Sequence, residues 1–275
     1  MNNLKSVYVI AEIGINHNGD MQLAKELIDK SHVAGANAVK FQKRDIGLVY
    51  TKQELDKYRE SPWGTTNRQQ KEGLEFSIQQ YIELESYTNS LGLDFVVSCW
   101  DVASVDLIEK HLNIRYHKVA SALTTDRKFL EKLNSTGRPV ILSTGMCTEK
   151  QIAAAIEILD NVKIVLACTS TYPTTAREIN LKHICTLKTN YPDVEIGFSN
   201  HYNGADACVG ATALGASCVE FHITNDRTAY GSDQAASIQN ASEVIDAIRK
   251  MELMLGDGVK KVYDSEKPIA KKLRK

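Results

Sequence analysis

Short apolar runs alternate with longer amphipathic segments along almost the whole chain. Runs of strand length fall at 7–13, 38–42, 94–98, 115–120, 139–143, 162–168, 194–199 and 217–222. Between and after them, the segments 21–34, 78–91, 101–111, 126–135, 149–159, 179–191, 204–214 and 241–255 read as helices. The first helix gathers Leu23, Leu27 and Ile28 on one face, with Asp20 as its N-cap. Gly92 and Gly137 supply C-terminal stops further on. Strands that are apolar throughout are buried on both faces, as in a parallel sheet. Eight such strand–helix units predict a closed (β/α)8 TIM barrel of class α/β, a single domain over 1–260, with a basic, frayed tail at 261–275. A doubly wound open sheet is the alternative. It would want a glycine-rich phosphate turn after an early strand. Gly14-Ile-Asn-His-Asn-Gly19 is the only candidate and lacks that spacing. The polar stretch 44–75 interrupts the pattern. It is read as a long functional loop, with turn chemistry at Ser61-Pro-Trp-Gly-Thr-Thr66.

A chain of 275 residues suits one large domain with a sizeable core. Its 33 basic and 34 acidic residues nearly balance, so neither nucleic acid nor a membrane surface is an expected partner. No apolar run approaches the roughly 18 residues of a membrane span. The start, MNNLKSVYVI, lacks a signal-peptide pattern, and a cytoplasmic location is expected. The cysteines at 99, 147, 168, 185, 208 and 218 form no C-x-x-C pair. They read as small buried hydrophobes, not as a disulfide framework.

A barrel carries its chemistry at the C-terminal ends of its strands. Polar residues fall there: Glu12; Lys40 and Gln42; Lys118 leading to Ser121; Ser143-Thr-Gly145; Thr169-Ser-Thr-Tyr172; Ser199 and His201; Glu220 and His222. Strand residues two apart share a face, so Ser199 and His201 point one way, as do Glu220 and His222. Lys40 and Lys118 sit among apolar neighbours. A buried ammonium needs a partner, and a phosphate or carboxylate ligand would supply one; the bland alternative is an exposed lysine at the strand rim. A lone strand histidine is more often structural than a ligand. Two at matched positions on neighbouring strands, His201 and His222, instead suit one shared divalent metal, completed by water, substrate or a carboxylate. Cys168 is an outside candidate for that shell. His17 is as much a loop hydrogen-bonder as a site residue, and His32, His111 and His183 read as helix surface. The residues alone thus describe a dication beside a small-anion site, suited to metal-assisted carbonyl or phosphate chemistry.

Several ordered motifs carry a family resemblance. Ala11-Glu-Ile-Gly-Ile-Asn-His-Asn-Gly-Asp20, Val39-Lys-Phe-Gln-Lys43, Leu142-Ser-Thr-Gly-Met146, Cys168-Thr-Ser-Thr-Tyr-Pro173, Gly231-Ser-Asp233 and the histidine-bearing strand pair resemble the catalytic barrel of sialic acid synthases. Trp63-Gly-Thr and Leu74-Glu-Phe-Ser77 in the long loop are similar too. The resemblance implies condensation of phosphoenolpyruvate with an N-acetylhexosamine to a nine-carbon 2-keto acid. It implies a divalent metal: manganese first, with magnesium or cobalt as alternatives. Lys40, Lys118, Ser121, Ser143 and Ser199 would bind the phosphate and carboxylate of phosphoenolpyruvate. His201 and His222 would hold the metal, and Glu12 would position the aldehyde or its water. Gln42, Tyr172 and Asp233 would contact the acceptor sugar, with Tyr172 also placed beside the donor. A homodimer is the family expectation.

Four departures stand out. The family usually carries Lys or Arg where this chain has Phe221, and Asp or Gly where it has Asn200. After Lys118 the family tends to Gly-Ser-Gly-Glu or Gly-Ser-Gly-Asp, whereas this chain reads Ala120-Ser-Ala-Leu123. The family's C-terminal antifreeze-like domain, whose arginine reaches a partner's site, is not in this sequence. The changes are read as acceptor-side, which leaves the sugar open. The alternatives are a synthase of a shorter 3-deoxy-ulosonate from an aldose without the acetamido group, a non-catalytic sugar-binding or regulatory barrel, and a metal-dependent aldolase using pyruvate.

Overall fold

The computed structural model describes residues 6–231 and 233–274. Its parallel strands are β1 (Tyr8–Gly14), β2 (Ala38–Lys43), β5 (Asp94–Cys99), β6 (His117–Val119), β7 (Val140–Ser143), β8 (Val162–Cys168), β9 (Glu195–Asn200) and β10 (Cys218–His222). They close into a barrel in the order β1-β10-β9-β8-β7-β6-β5-β2, as the (β/α)8 reading expected. Helices flank each crossover. Met21–Ala34 begins at Asp20, whose side chain accepts from the backbone of Gln22 and Leu23. Ala241–Leu255 packs back on it.

Period-two alternation divides the barrel into two cores. Val9, Ala11, Val39, Val97, Leu142, Val165 and Phe221 face outward and join the large core under the helices. Ile10, Ala38, Val96, Tyr116, Ile141, Leu166 and Cys218 fill the interior as an apolar plug, with Ile164 and Tyr8 below. On β9 the corresponding position is Gly197. A β-carbon there would lie 2.5 Å from the Cys218 carbonyl and 2.6 Å from Leu166 Cδ2, so the plug leaves room for glycine alone.

The stretch 44–75 is not a structureless loop. It holds short helices Ile46–Val49 and Lys52–Leu55, an antiparallel hairpin of β3 (Tyr58–Ser61) and β4 (Gly64–Thr66), and the helix Asn67–Leu74. Side-chain caps at Asp45, Thr51 and Thr66 start these helices. Elements this short and polar carry no readable periodicity, which is why the pattern missed them. Ser61-Pro-Trp-Gly does form the hairpin turn. Two elements are shorter than expected: β6 spans three residues, and the helix expected from 179 begins only at His183. The segment expected to fray carries an exposed helix, Lys267–Leu273, with Pro268 in its first turn. Lys275, the residues before Ser6, on which the signal-peptide reading partly rests, and Ser232 of the Gly231–Asp233 motif lie outside the described residues. No described helix is long and apolar enough to cross a membrane.

Candidate active site

Two residues beyond each apolar plug position, on the same inward face, the strands turn polar. Ile10 is followed by Glu12, Ala38 by Lys40 and Gln42, Val96 by Ser98, and Tyr116 by Lys118. Ile141 is followed by Ser143, Leu166 by Cys168, Gly197 by Ser199 and His201, and Cys218 by Glu220 and His222. All of these line one cavity of about 240 Å³ at the C-terminal mouth. Parallel register sets Glu12 beside both Lys40 and His222, and Ser199 beside Glu220.

Lys40 and Lys118 are 4 % and 3 % exposed, which removes the rim-lysine alternative. Their partners were not anticipated, because the protein itself supplies them. Lys40 Nζ lies 2.8 Å from Glu12 Oε2 and 3.8 Å from Glu220 Oε2. Lys118 Nζ lies 3.5 Å from Glu220 Oε1 and donates to Ser143 Oγ at 2.7 Å. Ser199 Oγ donates to Glu220 Oε1 at 3.1 Å, and the Gly145 amide donates to Ser121 Oγ at 3.0 Å. Two cations thus face two carboxylates, a compensation that burial demands. Burial works against the Lys40 ammonium, but Glu12 and Glu220 outweigh it and raise its pKa. At Lys118 burial prevails over Glu220, with repulsion from Lys40 adding to it, and the pKa falls. Burial also opposes ionised Glu220, yet Lys118 and Lys40 hold its carboxyl at about 2.

His201 and His222 lie side by side, ring centroids 5.3 Å apart, with Tyr172 4.1 Å and 5.6 Å from them. His201 Nδ1 is 2.7 Å from the Thr169 carbonyl. A carbonyl only accepts, so Nδ1 carries a proton and, in the neutral ring, Nε2 keeps its lone pair. The Cys168 thiol stands 3.7 Å from the same nitrogen. Burial pushes this thiol up, but His201 draws it down to about 7. His222 Nδ1 is buried without a hydrogen-bond partner, and Asp233 Oδ2 lies 3.6 Å away. Burial lowers the pKa of His222 and keeps the ring neutral. Burial works against a charged His201, but the Cys168 thiol and the Thr169 carbonyl outweigh it and raise its pKa. Two adjacent imidazoles, one with its tautomer set by a carbonyl and one beside a carboxylate, offer donors of the kind a divalent cation takes. Among the described residues no group of three or more His, Cys, Asp or Glu could hold a metal. Any remaining positions would belong to water or substrate.

A second cavity of about 290 Å³ adjoins the first and shares Gln42, Trp100 and Tyr172 with it. Asp233 lines this one. The acceptor-side residues therefore mark the junction of two cavities. Apart from Ile15, the remaining wall comes from the inserted stretch: Arg44, Tyr50, Arg59, Gln70, Lys71 and Leu74. None of these was singled out from sequence as a site residue, although Leu74 opens one of the family-like motifs. Six basic residues in 44–75 are matched by six acidic ones, so the sequence carried no signal that set Arg44, Arg59 and Lys71 apart.

Other expectations resolve differently. His17 belongs to neither cavity: it is buried, stacks on Phe76 at 4.1 Å and accepts from the Gly19 amide through Nδ1. His32 and His111 are exposed, and His183 is part-buried and bonded to Glu149. The departures read as acceptor-side mostly are not. Phe221 faces the outer core, Leu123 packs against that core, and Asn200 bonds the backbone of Tyr202. Only Ala120 and Ala122 line the inner cavity.

A closed barrel that gathers buried lysines, hydroxyls and paired imidazoles at the C-terminal mouth of its strands has the layout of a barrel enzyme's active site. Comparison with known proteins narrows this. A sequence model of the NeuB family matches residues 27–260, and the chain belongs to that family. It is 37 % identical to N-acetylneuraminate-9-phosphate synthase of Mus musculus over 98 % of this chain and 76 % of that protein. It is 34 % identical to N,N'-diacetyllegionaminic acid synthase of Legionella pneumophila, covering 98 % and 78 %. The crystal structure of N-acetylneuraminic acid synthetase from Leptospira borgpetersenii, in complex with citrate, superposes with a TM-score of 0.84 at 27 % identity, covering 100 % and 96 %.

Proposed function

We propose that this enzyme condenses phosphoenolpyruvate with an aldose, releasing phosphate and forming a 3-deoxy-2-keto sugar acid of the sialic acid type. The observation that carries the reading is the inner layer itself: two buried lysines and three hydroxyls directly beneath two adjacent imidazoles. Lys40, Lys118, Ser121, Ser143 and Ser199 hold the donor's phosphate and carboxylate. Glu12 and Glu220 pair with the lysines and hold them at the inner layer. C3 of the donor attacks the acceptor's aldehyde carbon, and the aldehyde oxygen takes up a proton to become a hydroxyl. Water adds at C2 and the C2–O bond to phosphate breaks, leaving the ketone. A divalent cation held by His201 and His222 supplies Lewis-acid polarisation of the acceptor carbonyl when bound. Gln42, Tyr172 and Asp233, at the junction of the cavities, orient the sugar.

The relatives' names support the reaction class while differing in the sugar they imply, and Ala120 and Ala122 favour keeping a second acceptor class in view, an aldose without the acetamido group. The test is phosphate release from phosphoenolpyruvate with manganese, and then magnesium and cobalt, across N-acetylmannosamine, mannose, arabinose and their phosphate esters. Acceptor-dependent release is expected, abolished by a chelator and restored by added metal. Phosphate release indifferent to every acceptor, or turnover indifferent to the chelator, would sink the corresponding half of the proposal.

A further inference from the structure

Strand β6, which carries Lys118, is the shortest in the barrel. Six register pairs join β2 to β5, but only Val97 with His117 joins β5 to β6. Ser98 Oγ, donating to the Lys118 carbonyl at 3.2 Å, adds one tie on that side, and β7 pairs with β6 at three positions. Lys118 points into the barrel, so His117 points out beneath the helices. This histidine is 1 % exposed and lines neither of the cavities described above. Its Nε2 lies 2.9 Å from Oε1 of Glu109, on the helix Val102–His111. Arg138, just before β7, donates to the same oxygen from Nε at 2.6 Å and to the Ile114 carbonyl from Nη1 at 2.7 Å.

A carboxylate only accepts, so Nε2 carries the proton of the neutral ring and Nδ1 keeps its lone pair. Nδ1 is buried without a hydrogen-bond partner. Burial lowers the pKa of His117; Glu109 opposes that, and Arg138 adds to it. The next outward residue of the strand, Val119, is aliphatic and joins the outer core. An aliphatic residue at 117 would strand no polar atom, so packing alone does not account for an imidazole there. Its other nitrogen does: the bond to Glu109 fastens β6 to the preceding helix, and Arg138 ties the segment between them to the entry of β7. On the inner face, Lys118 Nζ stands 2.7 Å from Ser143 Oγ and 3.5 Å from Glu220 Oε1. The anchor and the ammonium sit on consecutive residues, so any slide of β6 moves both. Site groups must be held to within about 0.5 Å, and a short strand with one register pair on one side needs more than its ladder to achieve that.

We infer that His117 is a positioning residue for the donor: clamped to Glu109 and Arg138 on the outer face of β6, it fixes where Lys118 stands in the inner layer. It touches neither substrate and acts through the strand. The inference rests on the donor role proposed above for Lys118 and adds to it the support that holds this lysine in place from outside the barrel.

The test compares H117L, H117Q, E109A and the double variant H117L/E109A with the wild type in donor and acceptor kinetics, in phosphoenolpyruvate binding by titration calorimetry and in urea denaturation. Leucine fills the space without the bond, whereas glutamine presents an N–H where the imidazole Nε2 stands. H117L should lose about ten- to a hundredfold in donor kcat/KM, with acceptor KM within about twofold, and H117Q should return to within about threefold of the wild type. E109A should match H117L, and the double variant should lose little beyond the worse single one, because both remove the same contact. Wild-type donor kinetics in a destabilised H117L would make His117 a packing residue and overturn the assignment. So would an H117Q as impaired as H117L, or donor and acceptor KM rising together. Should H117L not fold, E109A decides by the same ratio of donor to acceptor effects. If no acceptor turns over, calorimetry decides: affinity lost in H117L and E109A and kept in H117Q upholds the assignment, and affinity indifferent to the substitutions overturns it alone. A wild type that binds no phosphoenolpyruvate overturns the donor role of Lys118 and this assignment with it.

Discussion

The inner and outer layers of the barrel mouth solve the same electrostatic problem in opposite ways. In the inner layer Lys40 meets Glu12 on the neighbouring strand, Glu220 reaches both lysines across the barrel interior, and the charges cancel. In the outer layer Arg44 keeps Glu75, while Arg59 bonds the Tyr230 hydroxyl and Lys71 rests over the Tyr50 ring, neither in a direct ion pair among the described residues. Depth explains the difference. Barrel strands hold their side chains away from water, where an unpaired charge costs several kcal/mol. The inserted hairpin and helix sit at the rim, where solvent tempers that cost and an excess of cations can wait for a ligand. Compensation inside and excess outside is the arrangement expected where chemistry occurs below and recognition above.

The most severe way to break the inner layer is K118M. Glu220 would keep only the more distant Lys40, and Ser143 would lose its donor. Activity should fall on the order of a hundred- to a thousandfold, with a stability loss of about 3–5 kcal/mol for a broken buried pair. Phosphoenolpyruvate kinetics and urea denaturation read both, and unchanged donor kinetics would remove Lys118 from the donor site. A milder substitution sharpens the contrast from the other side. A β-carbon at Gly73 would lie 2.1 Å from the Trp63 ring, so G73A must displace the hairpin that carries Arg59. A cost of about 1–3 kcal/mol is expected, with a raised acceptor KM and an unmoved donor KM. A change in both KM values together would show that the two layers are not separable.

The smallest effect concerns the seam between the insertion and the barrel. His17 stacks on Phe76, and burial, with repulsion from Arg44, holds its pKa down to about 3. The unfolded chain protonates this ring near 6.5 while the folded protein does not. Stability from this group is therefore complete above about pH 6.5 and is lost as pH falls towards 3, by at most about 1.4 kcal/mol per pH unit. H17Q should flatten that slope in denaturation curves between pH 7 and 4, whatever it does to stability at pH 7. An unaltered slope would place the acid sensitivity elsewhere.

Much of the inner layer was legible because the barrel imposes period-two alternation on short strands. Once 38–42 is read as a strand, Lys40 and Gln42 must share a face, and the same holds for Ser199 with His201 and Glu220 with His222. The lysines' partners were not legible. Glu12 reaches Lys40 from the paired strand β1, and Glu220 reaches it from β10, which is remote in sequence and brought beside β1 only by barrel closure. Phe221 and Asn200 were misread for a related reason: their neighbours in sequence are site residues, but alternation turns Phe221 to the helix side, and Asn200 folds back onto Tyr202.

The sequence alone determined the α/β barrel, its eight strands, the rows of polar residues at their ends and the pairing of His201 with His222. Those features follow from local spacing, which a chain carries with it. Tertiary structure alone decided that the lysines are neutralised from within, that His17 is a packing residue, and that 44–75 is an ordered wall bearing Arg44, Arg59 and Lys71. These depend on which remote groups come within a few ångströms, and closure of the barrel and docking of the insertion bring that about.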